Sequence, residues 1–227
     1  MNNFEVLSVG GSLVCPEKVD LIFLKKLKRF LLKWIKRGKK FVLVVGGGKV
    51  AREYQRVAKA LGVKDNKELD WIGIFATFLN AQLVKSLFSK IAFPQVITDP
   101  TKKVNKNFKV FVAAGWKPQR STDFDATLLA KNFGAKRVIN LSNIDYVYDK
   151  DPSKFKDAKP IKKISFSEFF KIVGKKWKPG AHLPFDPLAA KLAQKEKIKV
   201  LILNGKKFHN LEKVFKNQKF IGTQVEP

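Results

Sequence analysis

The stretch from 41 to 52, FVLVVGGGKVAR, constrains the fold of this chain more than any other. Its five apolar residues, three of them Val, predict a buried strand, and three glycines end that strand before a helix that begins at Lys49. Glycines at such a turn let backbone N–H groups approach a ligand closely, and the N-terminus of the following helix favours an anion. A phosphate is therefore the predicted ligand, although a tight turn without a ligand would show the same pattern.

A second strand with a glycine turn lies near the N-terminus and strengthens the phosphate interpretation. The residues from 4 to 9 predict a strand, which Gly10, Gly11 and Ser12 end. Lys49 and Arg52 add positive charge next to the first turn. Two such turns and a basic pair favour phosphate binding over two empty turns.

Strands and helices alternate along the whole chain. With 227 residues, of which 45% are hydrophobic, the chain can bury the core of one large α/β domain or two small ones. It contains no internal repeat and no low-complexity linker, so we expect one unit with two lobes at most. Strands are predicted at 4–9, 41–45, 95–98, 109–114, 136–141, 200–203 and 221–225, and helices at 16–37, 49–61, 65–90, from 123, at 165–173, 186–196 and 211–216.

This alternation predicts a three-layer αβα sandwich around a mostly parallel sheet. Parallel α/β sheets bind ligands at the carboxyl ends of their strands, where every candidate loop of this chain lies. Asp70, Gly73, Thr77 and Asn80 share one stripe of the helix at 65–90. That stripe is compatible with contact to a sugar or base, and slightly more typical of close helix packing.

The polar loop that opens at Gly115, GWKPQRSTDFDATLLA, leads directly into a helix near Asp123. Ser121, Thr122 and Asp123 have the chemistry of a helix N-cap. Together with Trp116 and the basic side chains of Lys117 and Arg120, the same cap would suit a nucleoside monophosphate.

The net charge of +27 is the most unusual feature of the composition. It is compatible with binding to nucleic acid or to an anionic membrane surface. However, the lysines are spread along the whole chain, which favours a general bias that fills solvated surfaces with lysine. No apolar run reaches the roughly 18 residues of a membrane span, and the N-terminus lacks the pattern of a signal peptide, so we expect a cytoplasmic protein.

Cysteine, histidine and carboxylate patterns give little indication of a protein metal site. Cys15 is the single cysteine, which excludes an internal disulfide, and the two histidines lie far apart in the sequence, without the spacing of a zinc site. Asp145, Asp149 and Asp151 lie close together but lack the Gly and terminal Glu of a calcium loop. No metal ligand is therefore predicted in the chain.

Five segments resemble the amino-acid kinase fold, and most of all its uridylate kinase branch in the archaeal form. They are VGGS at 9–12, VVGGGKVAR at 44–52, DWIGIFATFLN at 70–80, STDFDATLLA at 121–130 and NLSNIDYVYDKDP at 140–152. The GGGK at 46–49 is not a P-loop, because Val50 follows it and the spacing differs. The resemblance implies phosphoryl transfer from Mg²⁺-ATP to UMP, which gives UDP and ADP.

The resemblance also implies ligands for particular residues. An N-terminal lobe of about 1–135 would bind the acceptor and a C-terminal lobe of about 136–227 would bind ATP, in a homo-oligomer that is usually a hexamer. The implied ATP-binding residues are Gly10, Gly11, Gly47, Arg52, Ser142, Asn143, Tyr148 and Asp151. The implied UMP-binding residues are Gly46, Asp70, Thr77, Gly115, Trp116, Lys117, Pro118, Gln119, Arg120, Ser121 and Thr122.

The catalytic cation is the part of the family pattern that this chain lacks. Many members of the fold have a lysine two residues before the first glycine turn, where this chain has Ser8. The candidates to replace it are Lys49, Arg52 and Lys191. Phosphoryl transfer needs alignment and charge neutralisation rather than a covalent nucleophile, so the chemistry does not require a Ser/His/Asp arrangement.

Several alternative functions remain open from the sequence. Acetylglutamate, carbamate and isopentenyl phosphate kinases share the fold, but the last typically has a histidine near its glycine turn, whereas the first histidine here is His182. A nucleic-acid-binding protein would have a clustered basic stripe and stacking aromatics, whereas Trp34, Trp71, Trp116 and Trp177 lie on separate predicted elements. A family member that binds nucleotide without turnover is a further alternative, because of Ser8.

Overall fold

A computed structural model describes residues 3–174 and 183–226, and its centre is a seven-stranded sheet of order β3-β2-β1-β4-β8-β9-β7. Every neighbouring pair in it is parallel except β8 and β9. The strands are β1 Phe4–Val9, β2 Lys40–Val45, β3 Val110–Ala113, β4 Arg137–Ser142, β5 Val147–Tyr148, β6 Pro160–Ile161, β7 Lys163–Ser165, β8 Lys199–Asn204 and β9 Thr223–Glu226. The helices are α1 Gly11–Val14, α2 Leu21–Ile35, α3 Gly48–Ala60, α4 Asn66–Ser86, α5 Thr122–Phe133, α6 Phe166–Val173, α7 Pro187–Lys195 and α8 Phe208–Phe215.

Apolar layers cover both faces of the sheet, and this confirms the predicted three-layer αβα sandwich. The central strands β1 and β2 are almost fully buried, and their residues are apolar apart from Glu5, Ser8 and Lys40, as expected for strands that are covered on both faces. Leu7 and Leu43 face α2, α4 and α8, whereas Val6 and Val42 face α5, α6 and α7. The sheet is thereby fixed in the middle of the molecule, and the strand ends are left to form the site.

Several predicted boundaries are corrected by the structure. The helix predicted at 16–37 begins only at Leu21, because the Asp20 side chain accepts a hydrogen bond from Phe23 N and caps the helix there. Residues 15–20 are not helical, and the short α1, which was not predicted, lies before them. The strand predicted at 95–98 does not form, and only Ile97 makes an isolated bridge, to Ala113.

Other elements differ in length or were not predicted at all. The helix predicted at 65–90 ends at Ser86, and the last helix begins at Phe208 rather than at 211. The hairpin of β5 and β6 and the edge strand β7 were missed, because strands of two or three residues carry too little periodicity. Trp177 and His182, with most of the loop predicted at 174–187, lie outside the described residues. Within the described ranges, no helix is long and apolar enough to cross a bilayer.

Candidate active site

The two glycine turns lie side by side at the carboxyl ends of β1 and β2, and their backbones touch. A Cβ added to Gly11 would lie 2.0 Å from the backbone N of Gly48 and 2.6 Å from the carbonyl carbon of Gly46. A Cβ on Gly46 would in turn lie 2.5 Å from Gly11 N. Since no side chain fits between them, this mutual packing requires glycine at both positions even before a ligand is considered.

Two of these glycines have their N–H groups already engaged. Gly10 N donates to Leu141 O, and Gly46 N donates to Val9 O, each at 3.0 Å. The predicted roles of Gly10 and Gly46 therefore depend on the close approach that glycine allows rather than on those two N–H donors.

The first cavity, of about 660 Å³, opens where β1 and β4 end. It collects four of the residues predicted to bind ATP: Gly10, Ser142, Tyr148 and Asp151. Asn143 is held at its edge, where Nδ2 donates to Ser12 Oγ at 3.0 Å. Six apolar residues form another part of the wall, namely Ile144, Val147, Pro152, Ile172, Leu183 and Pro184.

The second cavity, of about 350 Å³, lies between α3, α4 and the loop that follows β3. Six of the residues predicted to bind UMP line it, together with Gly47, which was predicted on the ATP side. These six residues are Asp70, Thr77, Gly115, Arg120, Ser121 and Thr122. The helical stripe thus serves two purposes, because Asp70, Gly73 and Thr77 face the cavity, whereas Asn80 is buried beneath the glycine turn.

Asn80 holds the glycine turn of β2 in place. Its Nδ2 donates to Gly46 O at 2.9 Å and to Gly47 O at 3.0 Å. Asn80 therefore has a structural role, although it holds a turn rather than a second helix, and ligand contact at Asp70 and Thr77 stays a prediction.

The 115–121 loop forms the roof of the second cavity, and three side chains hold its backbone. Gly115 N donates to Thr77 Oγ1 at 2.7 Å, and Trp116 N donates to Asp125 Oδ2 at 3.0 Å. Gln119 N donates to Asp70 Oδ2 at 2.8 Å. Gln119 itself has a φ of 63°, which is uncommon for a residue with a side chain.

The remaining predicted residues of the 115–121 loop do not line the second cavity. Lys117 places Nζ 3.9 Å from the centroid of the Trp116 ring, in a cation–π contact. Pro118 and Gln119 lie further along the same turn. The structure thus gives the loop a closed form in which only its two ends, Gly115 and Arg120–Ser121, border the second cavity.

The two cavities meet at Thr122, which lines both of them. Next to it, Asp123 lines the first cavity and its Oδ1 accepts a hydrogen bond of 2.8 Å from Ser8 Oγ. Ser8, which occupies the position of the family lysine, therefore points to a carboxylate at the junction of the two cavities.

A cluster of three carboxyl groups, Asp123, Asp125 and Asp186, surrounds this junction. Asp186 N donates to Asp123 Oδ2 at 3.3 Å, and the Ser121 hydroxyl donates to Asp186 Oδ2. Burial raises the pKa of Asp123 to about 6 and that of Asp125 to about 7, and it raises the pKa of Asp186 as well. The cluster therefore carries less negative charge near neutral pH than its three carboxyl groups imply.

This cluster was not predicted from the sequence, in which Asp123 was assigned to a helix cap and Asp186 only to the start of the helix predicted at 186–196. Asp186 does cap α7, and Ser121 caps α5. The available signal was the second acid of TDFDA, because helical spacing places Asp125 on the same side of α5 as Leu129 and Phe133, which are buried.

None of the three candidate catalytic cations lines either cavity. Lys49 Nζ pairs with Glu17 at 3.3 Å, and Arg52 is exposed on α3. Lys191 is exposed on α7 in a surface groove with Phe124 and Leu188, outside both cavities. Among the described residues, the basic side chains that do line the cavities are Lys150 in the first and Lys59 and Arg120 in the second.

Two adjoining cavities at the ends of parallel strands define an α/β protein with two neighbouring candidate ligand sites. Residues 3–204 match the model of the Amino acid kinase family, and the chain belongs to that family. The resemblance seen in the five sequence segments is thereby confirmed.

Several proteins similar to this chain are uridylate kinases. One from Pyrococcus abyssi (strain GE5 / Orsay) is 38% identical over 98% of this chain and 99% of its own length. One from Methanobrevibacter smithii (strain ATCC 35061 / DSM 861 / OCM 144 / PS) is 35% identical over 97% of each. The crystal structure of uridylate kinase from Archaeoglobus fulgidus superposes with a TM-score of 0.82 at 33% identity, over 98% of this chain and 99% of that one.

Proposed function

We propose that this protein is a UMP kinase, which transfers the γ-phosphoryl group of ATP to UMP and gives UDP and ADP. The observation that carries the proposal is the pair of cavities that meet at Thr122, because phosphoryl transfer needs donor and acceptor phosphates side by side. The uridylate kinase names of relatives that match nearly the full chain favour UMP over acetylglutamate, carbamate or isopentenyl phosphate as the acceptor.

ATP would occupy the first cavity. Its apolar wall, with Ile144 and Tyr148, suits an adenine ring, and the hydroxyl groups of Ser12 and Ser142 suit polar contacts to the rest of the nucleotide. The phosphates would then extend past Gly10 towards Thr122. Gly11, Gly47, Arg52, Asn143 and Asp151 remain proposed ATP contacts.

UMP would occupy the second cavity. The half-buried carboxylate of Asp70 is an acceptor for the ribose hydroxyl groups, and Arg120 supplies a positive charge near the phosphate. Gly46 and Gly47 would allow the phosphate to approach the turn. The 115–121 loop, with Trp116 to Gln119, would cover the uracil.

The contribution of the chain to the reaction is alignment and charge neutralisation. The two glycine turns and Thr122 would keep the attacking phosphate oxygen in line with the γ-phosphorus, and Arg120 and Lys59 would offset the charge that collects there. Lys49 and Arg52 would have to turn inward to contribute, and Lys49 would have to leave Glu17. The position of Lys191 outside both cavities gives its proposed role no support.

Mg²⁺ would reach the site as the counterion of ATP. The described residues contain no group of three His, Cys, Asp or Glu side chains that would cage a metal ion. Mg²⁺ commonly binds through substrate phosphates and water with few protein ligands, and there it neutralises phosphate charge.

The proposal also includes the assembly and the cellular role of the protein. It would be a homo-oligomer in the cytoplasm and would supply UDP to pyrimidine nucleotide biosynthesis. Helices α3 and α4 and the residue after α3 expose large apolar side chains that suit a contact between copies, namely Tyr54, Leu61, Trp71, Phe75 and Leu79. A hexamer is proposed from the family resemblance alone.

The two proposed lobes share the first cavity, because Ser8, Gly10 and Thr122 of the N-terminal part line it.

A coupled ADP-release assay with Mg²⁺-ATP tests the function. UMP would be compared with CMP, AMP, N-acetylglutamate, carbamate and isopentenyl phosphate as acceptors. Turnover confined to UMP, or preferring it strongly, is the expected result. Turnover with another acceptor would assign a different kinase, and binding of ATP and UMP without turnover would contradict the proposed activity.

A further inference from the structure

We propose that Asp125 is a positioning residue that fixes the 115–121 loop over the second cavity, so that affinity for the acceptor nucleotide depends on its carboxyl group while affinity for ATP does not. This inference rests on the proposed function for the identity of the acceptor. Asp125 lines neither cavity and touches neither proposed substrate, so its effect would pass through the loop.

The environment of Asp125 is unusual for a carboxyl group. Its exposed fraction is 0%, and its Oδ1 has no hydrogen-bond partner among the described residues. A buried carboxyl group with an unpaired oxygen lowers the free energy of unfolding. A hydrophobic residue at the same position would avoid that cost. Its other oxygen, Oδ2, accepts a hydrogen bond of 3.0 Å from Trp116 N, which belongs to the 115–121 loop.

The other hydrogen bonds of the 115–121 loop show why the bond from Trp116 N to Asp125 matters. The bond to Asp70 uses the carboxylate that the ribose would also need, so a bound nucleotide competes with Gln119 N for it. The bonds to Thr77 and Asp125 involve Gly115 N and Trp116 N at the start of the loop. Asp125 is therefore an anchor that would remain in place when the acceptor binds.

The charges that face Asp125 make its hold on the loop sensitive to pH. Asp123 on the same helix and Asp186 before α7 disfavour its ionised form, and Arg120 in the loop favours it. Burial is the largest influence and raises the pKa to about 7. An open loop would expose the carboxyl group to water and return the pKa towards its ordinary value of 3.8. The closed loop therefore loses stability as the pH rises from that value to about 7, and the loss levels off above 7.

Two substitutions test the proposal through steady-state kinetics. Asp125→Ala removes the acceptor for Trp116 N, so the KM for UMP should rise about five- to tenfold, the usual effect of one lost hydrogen bond, while the KM for ATP changes less than about twofold. Asp125→Asn keeps an acceptor oxygen and should restore most of the affinity for UMP. Between about pH 6 and pH 8, the KM of the wild-type protein for UMP should rise about three- to tenfold more than the KM of Asp125→Asn. UMP itself titrates in this range, and the comparison of the two proteins cancels that contribution.

A matched control separates the loop from general destabilisation. Asn210 is buried on α8, and its side chain holds Ile221 through two backbone bonds, outside both cavities. Asn210→Ala should lower the melting temperature without a selective change in the KM for UMP. Equal changes of both KM values in Asp125→Ala, or the same pH profile in wild type and Asp125→Asn, would overturn the proposal.

Amide hydrogen exchange keeps the test independent of the acceptor's identity. Exchange in the peptide that covers 115–121 should be faster in Asp125→Ala than in wild type and close to wild type in Asp125→Asn. Unchanged exchange would refute the anchor even if UMP is phosphorylated. Faster exchange in a protein that does not phosphorylate UMP would retain the anchor and reject the proposed function.

Discussion

The two cavities are built in different ways, and the difference shows how one sheet separates two ligands. The second cavity is bordered by α3 and α4, of 13 and 21 residues, and by a loop that buried side chains tie down. The first cavity is bordered by a strand end, the two-residue strand β5 and the segment around Leu183 and Pro184. Regular elements thus define the proposed acceptor site, and irregular ones define much of the proposed ATP site.

The glycine packing belongs to both cavities, so a change there should have the largest effect. Gly11→Ala would place a Cβ 2.0 Å from Gly48 N, and backbone cannot move aside cheaply. We expect a loss of more than about 3 kcal/mol in the free energy of unfolding and loss of turnover, measured by urea denaturation and the coupled assay. The control is Gly38→Asn, because Gly38 has open space around its Cβ position and Asn tolerates its positive φ. A stable, active Gly11→Ala protein would contradict the interlocked turns.

A change at Asp70 should separate the two cavities. Asp70→Asn keeps an oxygen for Gln119 N but removes the charge that would bind the ribose hydroxyl groups. The KM for UMP should rise about ten- to a hundredfold, with the KM for ATP nearly unchanged, as measured by steady-state kinetics. Asp65→Asn, at the cap of the same helix and outside both cavities, serves as the control. Equal losses for both substrates would contradict the assignment of Asp70.

Tyr148 provides the reciprocal test at the first cavity, with a smaller effect. Tyr148→Ala removes one ring from a wall that also contains Ile144 and Pro152, so neighbouring apolar atoms retain part of the contact. The KM for ATP should rise about three- to tenfold and the KM for UMP should stay within about twofold. A selective loss of UMP affinity would exchange the two proposed ligands between the cavities.

The helical period predicted part of the wall of the second cavity, whereas no period in the sequence predicted the surroundings of the first. The helical period of α4 alone places Asp70 and Thr77 on one face, and the glycine turn fixes where that face points. Strand β5 has no detectable period, so the position of Tyr148 came from family resemblance alone. Five of the eleven predicted acceptor residues lie in the glycine turn or the closed loop rather than in the wall of the second cavity.

The contacts that the sequence could not predict depend on tertiary packing. Asp125 reaches Trp116 across nine residues of chain only because α5 folds back beneath the loop. Ser8 and Asp123 meet across 115 residues. Lys191 shows the opposite error. It lies one turn into the helix capped by Asp186 and was predicted near the site, but its side chain is on the outer surface.

The contact between Gly11 and the Gly46–Gly48 turn has a consequence for changing the specificity of this protein. Because the two turns share one backbone interface, neither can be widened or narrowed for a new phosphate group without displacing the other. Redesign for a different acceptor therefore has to leave the turns intact and vary the 115–121 loop and the face of α4 that carries Asp70, Gly73 and Thr77. Side chains on the 115–121 loop and on that face of α4 can vary one at a time, whereas Gly11, Gly46 and Gly48 constrain one another and have to be kept together.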